Sequence, residues 1–233
     1  MAQHPRRFPR RPPTPRLRRP GTKRSSSCPG TSTPTRVSAL ATQAPAPVVI
    51  ALHGCTGLSS LPNIGPGLAA LGYVVIMPDS LARADRAGRF TCTGTSVGTG
   101  NLDIYDKRVE EADYAIEQVQ GKPWYDGRHL LLLGHSEGGY AVARKAYARI
   151  SAAAISGYWC TLGLPVAQVA PTLTVNYDQD PFYVNVPGVG APSCSGGPAG
   201  SRHVVLTGAF HTAFELEPGR SDLHDFARAQ AAR

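Results

Sequence analysis

Short, mostly apolar runs recur along the chain and alternate with stretches in which the apolar residues have helical spacing. The apolar runs lie at residues 48–52, 73–77, 130–133, 152–156, 173–177 and 203–207. Short runs bounded by glycine, proline or polar residues are typical of strands that are buried on both faces of a parallel sheet. The sequence therefore predicts a largely parallel sheet built from these runs.

Several stretches between and after these runs have the periodicity of amphipathic helices. They cover residues 63–71, 101–121, 137–149 and 221–232. In the second of them, the polar face opposite the apolar stripe includes Arg108, and in the last one Ser221 is the expected N-cap. The alternation of strands and helices predicts an α/β fold with helices on both faces of the sheet. In such folds ligands bind at the carboxyl ends of the strands.

Residues 1–47 have a different composition from the rest of the chain. They hold ten of the 21 prolines, and residues 1–36 hold ten of the 24 Lys and Arg residues but no Asp or Glu. Such a segment cannot bury enough apolar surface to offset the entropy of ordering it. We therefore predict a disordered Arg/Pro-rich tail at residues 1–47 and one folded domain at residues 48–233, a length that suits a single α/β domain.

The positive net charge of +8 belongs to this tail. The chain after residue 36 has 14 basic and 16 acidic residues, a net charge of −2, and no basic stripe with interleaved aromatics. We therefore expect no nucleic-acid partner for the folded domain. No apolar run approaches the roughly 20 residues that a membrane-spanning helix needs, so no membrane span is expected.

The N-terminal segment has incomplete features of an export signal. Arg6 and Arg7 form an arginine pair, but prolines stand where the apolar part of a signal should follow. Residues 39–41 fit a signal-peptidase site of the A-x-A kind. Without an apolar region the expected location is the cytoplasm, and export is the alternative if the cysteines are paired.

Residues 134–138 read Gly-His-Ser-Glu-Gly and fit the G-x-S-x-G pattern of a nucleophile elbow. In such an elbow a buried strand turns sharply into a helix, and the glycines leave room for the strained backbone of the central residue. Ser136 is that central residue and the candidate nucleophile. The helix that follows directs its N-terminal amides towards the oxygen of an attacked carbonyl.

A serine hydroxyl needs a general base at neutral pH, and His211 is the best candidate among seven histidines. It follows the predicted strand at 203–207 in a loop at the same edge of the sheet as Ser136. The base in turn needs an acid to hold one tautomer. Asp180, which precedes a proline just after the strand at 173–177, is the preferred acid, with Asp178 as the turn-forming residue or the alternative.

A tetrahedral oxyanion requires two backbone donors. The N–H of Glu137, the residue after the nucleophile, is one candidate. The other is expected in the loop after the first strand, where residues 53–55 read His-Gly-Cys and resemble an HG-type oxyanion loop. We therefore assign the second donor to the N–H of Cys55.

These motifs together resemble the α/β-hydrolase superfamily and, within it, the dienelactone hydrolase family. The resemblance rests on Leu-His-Gly-Cys-Thr-Gly at 52–57, Pro-Asp-Ser at 78–80 and Gly-His-Ser-Glu-Gly-Gly at 134–139, with Asp180 and His211. It covers residues 48–233. Dienelactone hydrolase itself uses a cysteine nucleophile, so Ser136 is a departure from the family pattern.

The resemblance implies a catalytic domain with the α/β-hydrolase fold that hydrolyses a small-molecule ester, thioester or lactone through an acyl-enzyme, without a metal or cofactor. The short separation of Ser136 and Asp180 leaves little room for a large lid domain. Two alternatives remain open. One is an exported, cutinase-like hydrolase that acts on polyesters, and the other is a catalytically silent α/β-hydrolase domain used for binding.

The cysteines bear on where the protein works. Cys28 lies in the tail, and Cys55, Cys92, Cys160 and Cys194 lie in the domain, where they permit three pairings. Their positions on loops favour the pairs Cys55–Cys92 and Cys160–Cys194, and four reduced thiols remain the alternative. No C-x-x-C motif or pair of histidines at ligand spacing occurs, so no zinc site is expected.

Overall fold

A computed structural model describes residues 25–27, 40, 44–86, 102–161, 163–165, 167–186 and 188–233. A seven-stranded sheet forms its centre. In chain order the strands are β1 (Ser25–Ser27), β2 (Ala46–Leu52), β3 (Val74–Met77), β4 (Tyr125–His135), β5 (Ala152–Ser156), β6 (Thr172–Tyr177) and β7 (Arg202–Leu206). Their spatial order is β1-β3-β2-β4-β5-β6-β7, and the six strands from β2 to β7 are all parallel. The predicted α/β fold class, that of an α/β-hydrolase, is confirmed.

Successive side chains of the central strands enter two different cores. Val48, Ile50 and Leu52 face one core, whereas Val49 and Ala51 face the other, and all are fully buried. This alternation explains why the sequence runs are apolar without interruption, because a strand covered on both faces has no solvent side.

The helices cover the two faces of the sheet. In chain order they are α1 (Ile64–Ala70), α2 (Leu102–Val119), α3 (Glu137–Arg144) and α4 (Gly219–Ala231). Side chains of α2 and α3 belong to one core, and those of α1 and α4 to the other. The described residues between β6 and β7 form no helix or strand. Within the described ranges, every helix is too short or too polar to cross a bilayer.

Two helix ends differ from the sequence predictions. The helix after the elbow ends at Arg144, because Lys145 is extended and the chain folds back to enter β5. Tyr147 stabilises this return by burying its ring and donating its hydroxyl to the carbonyl of Ala141 at 2.9 Å. At the last helix the N-cap is Pro218, whereas the Ser221 hydroxyl donates to Glu217 at 2.7 Å.

Parts of the segment predicted to be a disordered tail belong to the folded domain. Strand β1 pairs antiparallel with β3, and Leu40 is fully buried in the same core as Val48. Strand β2 already begins at Ala46. A serine strand at a sheet edge has no apolar pattern, so hydrophobic periodicity cannot reveal it. The prediction of disorder at residues 1–24, 28–39 and 41–43 lies outside the described residues.

Candidate active site

The predicted elbow has the geometry that its motif requires. Strand β4 ends at His135, helix α3 begins at Glu137, and Ser136 between them has φ 54° and ψ −116°. Side chains rarely adopt this conformation, and a β-carbon at Gly138 would collide with the carbonyl oxygen of Leu52. The strained turn therefore presents a partly exposed Ser136 at the carboxyl end of β4.

His211 is hydrogen-bonded to Asp180. The distance from its Nδ1 to Asp180 Oδ2 is 2.7 Å, and the carboxylate is fully buried. The second carboxylate oxygen of Asp180 accepts the N–H of Phe182 at 2.9 Å. Asp178 instead accepts the N–H of Gly208 at 3.0 Å, which joins the loops after β6 and β7. With the Nδ1 proton donated to Asp180, the basic nitrogen of His211 is Nε2.

The ring of His211 lies next to the elbow. It meets the ring of His135, the residue before Ser136, edge-on with 4.9 Å between centroids. Phe182 stacks on His211 at 4.1 Å. A β-carbon at Gly157 would lie 2.6 Å from the carbonyl oxygen of His211, so this close approach requires glycine. The structure thus brings Asp180, His211 and the elbow together. Sequence patterns did not identify Phe182 or Gly157.

The loop after β2 passes beside the candidate nucleophile. A β-carbon at Gly54 would lie 3.3 Å from the β-carbon of Ser136, and the N–H of Gly54 donates to Ser60 Oγ at 2.9 Å. Cys55 follows directly in this loop, and Glu137 is the first residue of α3. The assignment of their N–H groups as oxyanion donors stays a prediction.

His53 is the first residue of this loop, and its buried side chain has a single protonation state. Its Nε2 accepts the N–H of Ser80 at 2.9 Å, and its Nδ1 lies 2.6 Å from the carbonyl oxygen of Gly54. Burial, followed by the charge of Arg108, lowers the pKa of His53 to about 3. The imidazole is therefore neutral near pH 7, with its proton on Nδ1.

A cluster of buried charges lies behind the elbow and was not predicted. Arg86, Arg108, Glu111 and Glu137 are each at most 8% exposed. The prediction that Arg108 lies on the solvent face of its helix is wrong. Its guanidinium is fully buried, where Glu111 and Glu137 compensate its charge. Periodicity separates polar from apolar residues but does not detect charges paired inside the fold.

A disulfide joins Cys160 and Cys194, with 4.9 Å between their α-carbons. Cys160 directly follows Trp159, whose ring stacks on Tyr183 at 5.0 Å. The ring of Tyr183 lies 6.4 Å from that of His211. Cys55 is also disulfide-bonded. Its predicted partner Cys92 lies outside the described residues. In the described part of the chain, no group of three or more His, Cys, Asp or Glu residues is arranged to hold a metal ion.

Comparison with known proteins identifies the family of this chain. No curated protein matches it at a significant level. The family model described as "Dienelactone hydrolase family" matches residues 35–178, which is more than half of the chain. The matched region contains the elbow and the loop after β2, and it ends before Asp180 and His211, so the placement of those two residues rests on the structure. The chain belongs to the dienelactone hydrolase family, a family of α/β-hydrolases.

Proposed function

We propose that this protein is a serine hydrolase that cleaves carboxylic esters through an acyl-enzyme. Membership of the dienelactone hydrolase family indicates a hydrolase with a small-molecule substrate. The observation that carries the finer assignment is the 2.7 Å hydrogen bond between His211 and Asp180, formed beside the positive-φ Ser136. A nucleophile, a base and an orienting acid at one sheet edge suit acyl transfer.

In the proposed acylation step, His211 Nε2 takes the proton of Ser136 Oγ as this oxygen attacks the ester carbonyl. The Asp180 carboxylate accepts the Nδ1 proton of His211 and stabilises the imidazolium that forms. The carbonyl oxygen becomes an oxyanion, and the N–H groups of Cys55 and Glu137 donate hydrogen bonds to it. Collapse of the intermediate breaks the ester C–O bond, and His211 returns the proton to the leaving alcohol.

Deacylation repeats these steps with water as the nucleophile. His211 removes a proton from the water that attacks the acyl group on Ser136, and the second oxyanion uses the same two donors. Collapse releases the carboxylic acid and restores the serine hydroxyl. Lactones and thioesters present the same carbonyl, so they are substrates of the same chemistry.

The proposal is tested with a fluorophosphonate probe, which phosphonylates only an activated serine. We expect covalent labelling of the folded wild-type protein and none of Ser136→Ala. Ser59→Ala is the matched control, because Ser59 is an exposed serine in the neighbouring loop and its hydroxyl donates to the carbonyl of Thr56 at 3.1 Å. A folded wild-type protein that resists the probe and hydrolyses no p-nitrophenyl ester would instead be a binding module.

The Cys160–Cys194 disulfide favours a second candidate, an exported hydrolase that acts on polyesters. Structural disulfides persist in oxidising surroundings. Phe210, adjacent to His211, and Leu81, which contacts the loop after β2, are about half exposed and supply apolar surface near the site. Release of soluble acids from an aliphatic polyester film would support this candidate. Turnover of soluble esters without any attack on the film would limit the function to small esters.

A further inference from the structure

Arg86 joins the nucleophile elbow to the segment that follows β3. Its two terminal nitrogens donate to the two carboxylate oxygens of Glu137 at 2.6 and 2.8 Å. One of them also donates to Ser80 Oγ at 2.6 Å. Because the contact with Glu137 is bidentate, it fixes the orientation of that side chain as well as its position.

Arg108 joins the same carboxylate to the loop after β2. It is fully buried on α2, its Nε lies 3.3 Å from Glu137 Oε1, and its Nη2 donates to the carbonyl oxygen of His53 at 2.7 Å. A single rigid guanidinium therefore contacts both segments that carry the predicted oxyanion donors. Glu111, which pairs with Arg108, supplies the second negative charge of the cluster.

The imidazole of His53 is hydrogen-bonded to the peptide group that carries the N–H of Cys55. Because Nε2 accepts the N–H of Ser80, the ring proton is on Nδ1 and is donated to the carbonyl oxygen of Gly54. This carbonyl belongs to the same peptide plane as the N–H of Cys55. Together with the N–H of Gly57, which donates to the same carbonyl at 3.1 Å, this hydrogen bond orients the peptide that carries the Cys55 N–H and polarises it as a donor.

Burial of paired charges rarely gives more stability than apolar packing of the same volume. This cluster nevertheless joins the loop after β2 to the start of α3, which carry the two predicted oxyanion donors, and its two positive and two negative charges balance. We propose that Arg86, Arg108 and His53 are positioning residues that hold the N–H groups of Cys55 and Glu137 at the separation and angle that an oxyanion requires. The inference rests on the proposed serine-hydrolase function.

Such a role has a kinetic signature. The oxyanion exists only in the tetrahedral states, so a displaced donor lowers kcat while KM changes little. Loss of one oxyanion donor costs about 10² to 10³ in kcat, and a misdirected donor should cost about 10- to 100-fold. A role limited to stability would lower the denaturation midpoint and leave kcat of the folded fraction unchanged.

The first test compares two substitutions of His53. In His53→Asn the side-chain amide nitrogen takes the place of Nδ1 and can still donate to the Gly54 carbonyl. In His53→Gln the amide reaches the position of Nε2 and can contact Ser80 instead. We expect kcat for p-nitrophenyl butyrate to fall less than about 5-fold in the Asn variant and about 10- to 100-fold in the Gln variant.

The second test uses Arg108→Lys, which keeps the charge but cannot contact His53 and Glu137 with one planar group. We expect a fall of about 10- to 100-fold in kcat with KM within about 3-fold. Arg202→Lys is the control, because Arg202 begins β7, at the end of the sheet opposite the elbow, and pairs with Asp222 at 2.7 Å. Its kcat should stay within about 2-fold.

A trifluoromethyl ketone supplies an independent readout, since it forms an anionic hemiketal with the nucleophile. Its inhibition constant should rise in parallel with the loss of kcat/KM in His53→Gln and Arg108→Lys. Equal kcat values for His53→Asn and His53→Gln, together with unchanged inhibition of folded Arg108→Lys, would overturn the inference. Failure of the wild-type protein to react with fluorophosphonate would instead overturn the proposed function.

Discussion

The imidazole of His211 is hydrogen-bonded to Asp180 and not to Asp178, although both aspartates follow β6. We therefore predict that Asp180→Asn lowers kcat by about 10⁴, because the amide cannot hold the tautomer that accepts the serine proton. Asp178→Asn is the control. It keeps the oxygen that accepts the N–H of Gly208 and should retain activity within about 3-fold. Steady-state turnover of p-nitrophenyl butyrate distinguishes the two variants, and the reverse ranking would assign the acid to Asp178.

The conformation of Ser136 predicts an unusual order of stabilities. At φ 54° and ψ −116° a residue with a β-carbon has about 1 to 3 kcal/mol of backbone strain, and glycine avoids this strain. Ser136→Gly should therefore have a free energy of unfolding about 1 kcal/mol greater than that of Ser136→Ala, and both should be inactive. Urea denaturation measures the difference.

The exposed Ser59 provides the comparison for this prediction. It lies in a short 3₁₀ helix, where glycine is less favourable than alanine because it loses more backbone entropy. Ser59→Gly should therefore be about 0.5 to 1 kcal/mol less stable than Ser59→Ala. The same order of Gly and Ala at both positions would show that the elbow is not strained.

The central sheet could be predicted because its strands are covered on both faces. Continuous apolar runs such as residues 130–133 then identify the strands, and the spacing of Gly134, Ser136 and Gly138 identifies the turn that follows. Because Asp180 follows β6 and His211 follows β7, the sequence also predicted that the two residues lie near each other. Parallel strands place their carboxyl ends at the same end of the sheet.

Other features depend on contacts between distant segments and leave no periodic signal. The burial of Arg108 follows from Glu137 and Glu111, and His53 is fixed by the Ser80 amide from another loop. The stacking of Phe182 on His211 likewise joins residues of two loops. Such pairings become visible only when the fold has placed both partners.

Because His53 and His135 are buried, we predict that the free energy of unfolding decreases as the pH is lowered from neutral. Burial lowers the pKa of His53 to about 3 and that of His135 well below its usual value, whereas both have a pKa of about 6.5 in the unfolded chain. As pH falls below 6.5 the unfolded state takes up protons that the folded state does not bind. The stabilisation is therefore complete above pH 6.5 and is lost as pH falls towards the folded pKa values.

We expect the free energy of unfolding to decrease by about 2 kcal/mol between pH 7 and pH 5 because of His53, and to decrease further because of His135. Urea titrations at the two pH values measure the loss. In His53→Asn the loss should be smaller by about the contribution of one histidine. If the wild-type protein were equally stable at both pH values, the two imidazoles could not remain neutral in the fold.

The Cys160–Cys194 disulfide predicts a coupled loss of stability and activity. The two residues are 34 positions apart, and closing a loop of this size stabilises a fold by about 3 to 4 kcal/mol through the entropy of the unfolded chain. The loop contains Asp180, and the bond adjoins Trp159, which stacks on Tyr183 three residues beyond that acid. Removing the bond should therefore loosen the segment that carries Asp180.

The double variant Cys160→Ala with Cys194→Ala tests this more specifically than a reductant, because Cys55 is also disulfide-bonded. We expect a free energy of unfolding lower by about 3 to 4 kcal/mol and a loss of turnover at temperatures where the wild-type protein is fully active. At low temperature, where Trp159 and Tyr183 remain packed, kcat should recover to within about 3-fold of wild type, since neither cysteine takes part in the chemistry. An unchanged urea midpoint would mean that the bond contributes nothing to the fold.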